Sequence, residues 1–187
     1  STHNNLAEDL QTFVRGGGTI IAQKRGASWV EDAVLELQKE EPSKPETGKD
    51  GPVRRAYLDY EQARGKSIVG GVPLWGEADL THPLLYGMNR ARLPLFYNGR
   101  TLLQEPPISY DAPLVFTKDK DLLITGYADE SRLKDIRNTP AIALHRMGNG
   151  KVVLMANDNT FRAIWNGTER LYANALFFTQ AIEMRRD

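Results

Sequence analysis

Apolar residues in the first fifteen positions recur at helical spacing. Leu6, Leu10, Phe13 and Val14 share one face, Glu8 and Asp9 sit in the opening turn, and Asn4 or Asn5 is placed to cap it. Gly16-Gly17-Gly18 ends that helix. Thr19-Ile20-Ile21-Ala22 then reads as a short strand, because an unbroken run rich in β-branched residues suits a sheet covered on both faces. A second helix follows, capped by Ser28, with Trp29, Ala33, Leu35 and Leu37 as its apolar positions. Helix, glycines, strand and helix in that order make the pattern of a parallel α/β unit.

Glu40 to Pro52 is rich in Lys, Glu and Pro and offers almost nothing to bury, so positions 40–52 are expected to be a mobile surface excursion. The spacing predicts a third helix over Arg54–Arg64, with Ala56, Tyr57, Tyr60 and Ala63 inward. Ser67–Leu74 reads as a strand made irregular by Gly70-Gly71, and Thr81–Met88 as a turn built on His82-Pro83. Short strands are then predicted over Leu93–Tyr97, Thr101–Gln104, Leu114–Thr117 and Leu122–Tyr127, with Asn98-Gly99 as a hairpin turn. A polar helix is predicted over Asp129–Arg137, and Gly148-Asn149-Gly150 joins strands at Ala141–His145 and Val152–Met155. The chain closes on a helix from about Thr168. Its stripe of Leu171, Ala175, Phe178 and Ile182 is widened by Tyr172, Leu176 and Phe177, which predicts deep burial against a sheet.

The chain has 187 residues, enough for one domain with a substantial core. Its 24 basic and 24 acidic side chains balance, which argues against a nucleic-acid partner. With no cysteine, disulfides, thiolate zinc sites and a cysteine nucleophile are excluded. No apolar run approaches a membrane span, and the first residues lack the pattern of a signal peptide, so any such signal is expected either upstream in a longer chain or not at all.

Several short motifs invite a chemical reading. Gly26-Ala27-Ser28 lies between a strand and a helix, where a nucleophilic serine would sit, with His82 or His145 as its base. Position 30 is Val rather than Gly, and Lys24-Arg25 lengthen the turn, so capping is the commoner role. Gly65-Lys66-Ser67 imitates the end of a phosphate-binding loop, but Tyr60 stands where the first glycine belongs. Asp79, Thr81 and His82 form a polar constellation in which Asp79 would orient the imidazole; the alternative is a turn in which Asp79 and Thr81 bond nearby amides. Asn157, Asp158 and Asn159 follow a strand, where ligands bind in open α/β sheets, with Arg162 available for an anion. The same residues suit helix capping. Trp75, Tyr86, Phe161 and Trp165 suit either a binding face or the core.

Three stretches carry a resemblance: Phe13–Ala22; Gly70-Gly71 with Asp79–Gly87; and Gly150–Thr168 running into Asn174–Phe178. Together they resemble the C-terminal region of large bacterial zinc carboxypeptidases, which is similar in fold to class I glutamine amidotransferases. The resemblance spans nearly the whole chain outside 40–52. It implies a three-layer α/β sandwich, flavodoxin-like, with an added β-rich segment. It also implies a single non-catalytic accessory domain over 1–187, cut from a longer periplasmic or secreted metallocarboxypeptidase. Its partner would be the upstream peptidase domain, and its role packing or the presentation of peptide or cell-wall substrate. Zinc would belong to that upstream domain, with no cofactor here. The family's His-x-x-Glu metal pair is absent: neither His82 nor His145 has Glu three residues on, and His3 is followed by Leu6. The amidotransferase cysteine is absent as well. An independent serine hydrolase using Ser28, and a small-ligand or sugar-binding module near Asn157–Arg162, are the alternatives.

Overall fold

A computed structural model describes residues 2–37, 47–48, 51–52, 56–59, 68–163 and 166–184. Helix α1 (Thr2–Arg15) leads through the three glycines into strand β1 (Thr19–Gln23) and helix α2 (Arg25–Ala33). A two-residue ladder of β2 (Thr47–Gly48) and β3 (Gly51–Pro52) lies within the stretch expected to be a loop. Then come β4 (Val69–Ala78), β5 (Arg92–Gly99), β6 (Leu114–Phe116), helix α3 (Glu130–Ile136), β7 (Pro140–Met147), β8 (Gly150–Met155) and helix α4 (Asn166–Phe178).

The main sheet has the order β1-β8-β7-β6-β4-β5. Only β1 and β8 run parallel; every other neighbouring pair in this sheet is antiparallel. This corrects the expected three-layer, flavodoxin-like sandwich: the chain forms a curled, mixed sheet with few helices. The reason lies in the connections. A two-residue turn at Gly148-Asn149 joins β7 to β8, with Gly148 at φ 60°, and so short a turn permits only antiparallel pairing. The parallel expectation came from the opening helix–strand–helix segment, and β1–β8 is the one pair to which it applies.

The curl brings the two edges of the sheet toward each other. Just after β8, the Asp158 amide donates to the Phe96 carbonyl of edge strand β5 at 3.2 Å, and Phe161 stacks on Phe96 with ring centroids 4.0 Å apart. From the other edge, Glu31 of α2 accepts from the Gln104 amide at 2.9 Å, a short way beyond β5. The interior is filled by Leu74, Leu95, Tyr97, Leu114, Phe116, Leu144 and Leu154, all fully buried.

Several local expectations need adjustment. Helix α1 begins at Thr2, so Asn4 and Asn5 lie within it. It buries Ala7 and Val14, while Leu6 and Phe13 stay about half exposed and the Phe13 ring lies over Gly18. Helix α2 is capped by Lys24 instead of Ser28. Of the predicted third helix, Tyr57–Asp59 form a 3-10 turn with Ala56 and Tyr57 exposed; Tyr60 and Ala63 lie outside the described residues. The Gly70-Gly71 irregularity is a β-bulge, where Gly71 at φ 132° meets the Phe96 ring. Asn98-Gly99 ends β5 instead of turning a hairpin, and Thr101–Gln104 is irregular. Leu122–Tyr127 contributes one isolated bridge, Leu123 to Leu74. Asp129 caps α3, accepting from the Ser131 amide at 3.0 Å. Helix α4 ends at Phe178 and buries Leu171 and Ala175, but leaves Leu176 and Phe177 in solvent. No helix among the described residues is long and apolar enough to cross a membrane.

The turn after α1 fits against the start of β8 only because position 150 has no side chain. A Cβ on Gly150 would collide with the backbone carbonyls of Val14 and Gly18, neither of which moves without shifting α1. Gly150→Ala is therefore expected to cost roughly 1–3 kcal/mol or more in urea unfolding. Gly26→Ala, whose Cβ meets nothing within 4 Å in α2, is expected to be neutral or to gain up to about 1 kcal/mol.

Candidate functional site

Asp79, Thr81 and His82 form a turn. Asp79 Oδ1 accepts from the Thr81 amide at 2.9 Å and from the Thr81 hydroxyl at 2.6 Å. Those bonds, the hydroxyl's first, hold the Asp79 carboxyl below its ordinary pKa. His82 Nδ1 accepts from the Leu84 amide at 3.2 Å, so the imidazole caps the 3-10 turn Pro83–Leu85 rather than bonding Asp79. Burial lowers its pKa, with the nearby Asp79 charge opposing. The three residues come together in one turn, with Asp79 Oδ1 and His82 Nδ1 each accepting from a neighbouring backbone amide. His82 and Thr81 also line an apolar hollow of about 410 Å³ with Leu80, Pro83, Tyr86 and Phe178.

Asn157, Asp158 and Asn159 lie where β8 ends. Asn157 and Asn159 are fully buried and bonded to each other, Nδ2 to Oδ1 at 2.7 Å. The Asn159 amide donates to Gln23 Oε1 at 3.1 Å, and the Asn159 carbonyl accepts from the Thr168 hydroxyl at 3.0 Å. These two asparagines tie the ends of β1 and β8 to α4 and present little to a ligand. Arg162 is exposed, at φ 52°, with its guanidinium 5.1 Å from the Phe161 ring centroid. It does not join the asparagines.

The more open feature lies beside them. A cleft of about 650 Å³ runs between the two sheet edges, with Lys24, Arg25 and Ser28 on the β1–α2 side. Val69, Gly70, Asn98, Gly99, Arg100 and Thr101 form the β4–β5 side. Lys24 occupies the junction in an uncommon backbone conformation for a residue with a side chain, φ 54° and ψ −127°. Its amide donates to the Met155 carbonyl at 2.8 Å, extending the β1–β8 ladder by one bond. Its carbonyl accepts from the Ser28 amide at 3.1 Å, starting α2. The ammonium group lies 3.4 Å from Asp158 Oδ2.

Lys24, Arg25 and Arg100 were not among the residues singled out in the sequence. The available signal was Lys24-Arg25 at a strand-to-helix junction, which read as a lengthened turn; nothing local placed Arg100 opposite them. Ser28 does line the cleft, but no imidazole bonds its hydroxyl: His82 lines the separate apolar hollow, and His145 Nε2 is buried without a partner. The serine–histidine pair of the hydrolase reading is therefore not assembled among the described side chains. No group of three His, Asp or Glu side chains placed to hold a metal occurs among the described residues. Trp165 and Gly65-Lys66-Ser67 lie outside them.

No protein-family model and no curated protein matches the chain. Among solved structures, it is similar to the cytoplasmic protein STM3548 from Salmonella typhimurium, at 17% identity and a TM-score of 0.40, over 92% of this chain and 59% of that one. It is also similar to a cold-adapted β-galactosidase from Rahnella sp. R3, at 14% identity and a TM-score of 0.38, over 95% of this chain and 21% of that one. The chain thus spans less than two thirds of either protein, and neither likeness is close enough to establish a shared fold.

His145, which lines neither the cleft nor the hollow, gives the chain a pH signature. It lies on β7 opposite Val152, and burial pushes its pKa down to about 4, against an ordinary value near 6.5. The folded chain needs the neutral ring, and the unfolded chain takes up the proton first. This contribution to stability is complete above about pH 6.5 and is lost as pH falls toward 4, by about 3 kcal/mol. Urea midpoints measured across that window should fall with pH, and His145→Leu should flatten the His145 part of the slope.

Proposed function

We propose that this domain is a non-catalytic accessory module that works by contact, packed against the peptidase domain of a longer zinc carboxypeptidase chain. What supports the contact reading is an apolar face at the end of α4 and the adjoining Pro83 turn. Tyr86 is 69% exposed on the turn and Phe177 79% on the last turn of α4, while Leu176, 59% exposed, lies on another side of the helix. The turn is held firmly to the helix: Asn174 Nδ2 donates to the Leu84 carbonyl at 2.8 Å and to the Tyr86 carbonyl at 2.9 Å. Tyr86 meets Phe178 edge-on, with centroids 5.6 Å apart. A face fixed in this way loses little conformational freedom when covered, which favours docking.

What supports the carboxypeptidase parent is the sequence resemblance over Phe13–Ala22, over Gly70-Gly71 with Asp79–Gly87, and over Gly150–Thr168 running into Asn174–Phe178. In this reading zinc and bond cleavage belong to the upstream domain. The accessory module stabilises that domain or helps present peptide or cell-wall substrate, in the periplasm or outside the cell.

Phe177→Ser should change the stability of the isolated 187-residue chain by no more than about 0.5 kcal/mol, and Tyr86→Ser, which loses the edge-on contact with Phe178, should cost about 0.5–1.5 kcal/mol. In the full-length parent the same changes should lower the melting temperature of the peptidase domain. Stoichiometric zinc or peptide turnover in the isolated chain would refute the reading, as would a parent indifferent to both substitutions.

A further inference from the structure

The two edges of the main sheet differ in how they are guarded. On edge strand β5 the Phe96 carbonyl already accepts from the Asp158 amide, so Arg92, Pro94 and Phe96 are the residues whose backbone groups turn outward. Pro94 has no N–H to give and Arg92 brings a charged side chain, and both features discourage a further strand. Edge strand β1 has neither guard. Its sequence, Thr19-Ile20-Ile21-Ala22-Gln23, contains no proline and no charge, and its register with β8 has no bulge. Strand alternation fixes which of its backbone groups are used. Gly18 accepts from the Lys151 amide and Lys24 donates to the Met155 carbonyl, so even-numbered residues serve β8, while Thr19, Ile21 and Gln23 turn away from it. Among the described residues no hydrogen bond reaches the backbone amide or carbonyl of those three. The basic cleft begins past the end of the strand, at Lys24, and none of the three lines it.

We propose that β1 pairs with β1 of a second copy of this chain, antiparallel about a two-fold axis at Ile21, so that two sheets join into one. Setting Ile21 opposite itself places Thr19 opposite Gln23 of the other copy. Every outward residue then meets an outward residue, and the three free amides of each copy find the three free carbonyls of the other. The same register sets Lys24 opposite Gly18 and Arg25 opposite Gly17, so neither basic side chain faces its own equivalent. The guard on β5 decides between arrangements. Pairing β1 of one copy with β5 of the next would run on as a filament, and Pro94 stands against it; self-pairing of β1 closes at two copies. A five-residue ladder spans about 17 Å and buries less than the about 1,200 Å² of a standard interface, which makes the association weak and dependent on concentration.

The test is sedimentation of the 187-residue chain at low and at high micromolar concentration, with amide hydrogen exchange followed by NMR at both. A dimer should appear as concentration rises, and exchange at Thr19, Ile21 and Gln23 should slow roughly ten-fold with it, while the β7 and β8 amides keep their rates. Ile21→Pro removes an outward N–H and no bond to β8, so it should abolish the dimer and preserve the β7–β8 amide shifts of the folded chain. Ile21→Lys, which brings like charges face to face at the axis, should give the same loss and serves if the proline variant does not fold. Phe177→Ser, on a different face, should leave the dimer intact. Four outcomes would each overturn the proposal: a monomer at both concentrations, an Ile21 amide equally protected at both, a dimer that survives the Ile21 substitutions, or one that Phe177→Ser dissolves.

Discussion

The parallel pairing of β1 with β8 is the constraint on which the rest of this structure depends. Ile20 lies opposite Val152 and Ala22 opposite Leu154, so the two strands run side by side and finish at the same level. One more ladder bond, from the Lys24 amide to the Met155 carbonyl, holds the chain in register at the point where it must turn into α2. The turn is made at once, and Lys24 takes the uncommon backbone angles that so abrupt a change of direction requires. Beneath this pairing, Gly150 admits the end of α1 against the start of β8, at a distance no side chain would permit.

From that fixed end the curl of the sheet builds the site. The antiparallel strands β7, β6, β4 and β5 carry the chain away from β1, and the segment after β8 reaches β5 through Asp158, Phe96 and Phe161. The space left between the edges is the basic cleft, and the residues that border it come from distant parts of the sequence. Polar residues at the neighbouring strand ends are spent on holding this closure. Asn157 and Asn159 bond each other, and Gln23 and Thr168 complete the link.

How much of this was legible in the sequence follows from the range of the interactions involved. Features set by neighbours were readable. The glycine stop after α1, the run of β1, the irregularity at Gly70-Gly71, the short glycine turn before β8 and the polar helix near 129–137 all depend on residues within a few positions. Features set by tertiary contact were not. The apolar periodicity of the last helix is real, yet it does not reveal that Leu176 and Phe177 lack a partner within this chain's described residues. The Thr19–Ala22 strand does suit parallel pairing, but the sequence did not show that only one other strand would run with it. For the site, Asp79, Thr81 and His82 were seen to belong together, and the structure joins them in one turn. Arg100 escaped notice because its relation to Lys24 exists only once the sheet has curled.

The β1–β8 register holds Lys24 in a conformation costly for a residue with a side chain. Glycine adopts such angles without steric penalty. Unfolding of Lys24→Gly in urea is the most direct test. Relief of about 1–3 kcal/mol of backbone strain, less about 1 kcal/mol for the looser unfolded chain and a few tenths for the lost Lys24–Asp158 pair, predicts a net change from about zero to a gain of about 2 kcal/mol. A clear loss of stability would mean that Lys24 is not strained at this junction and would contradict the account.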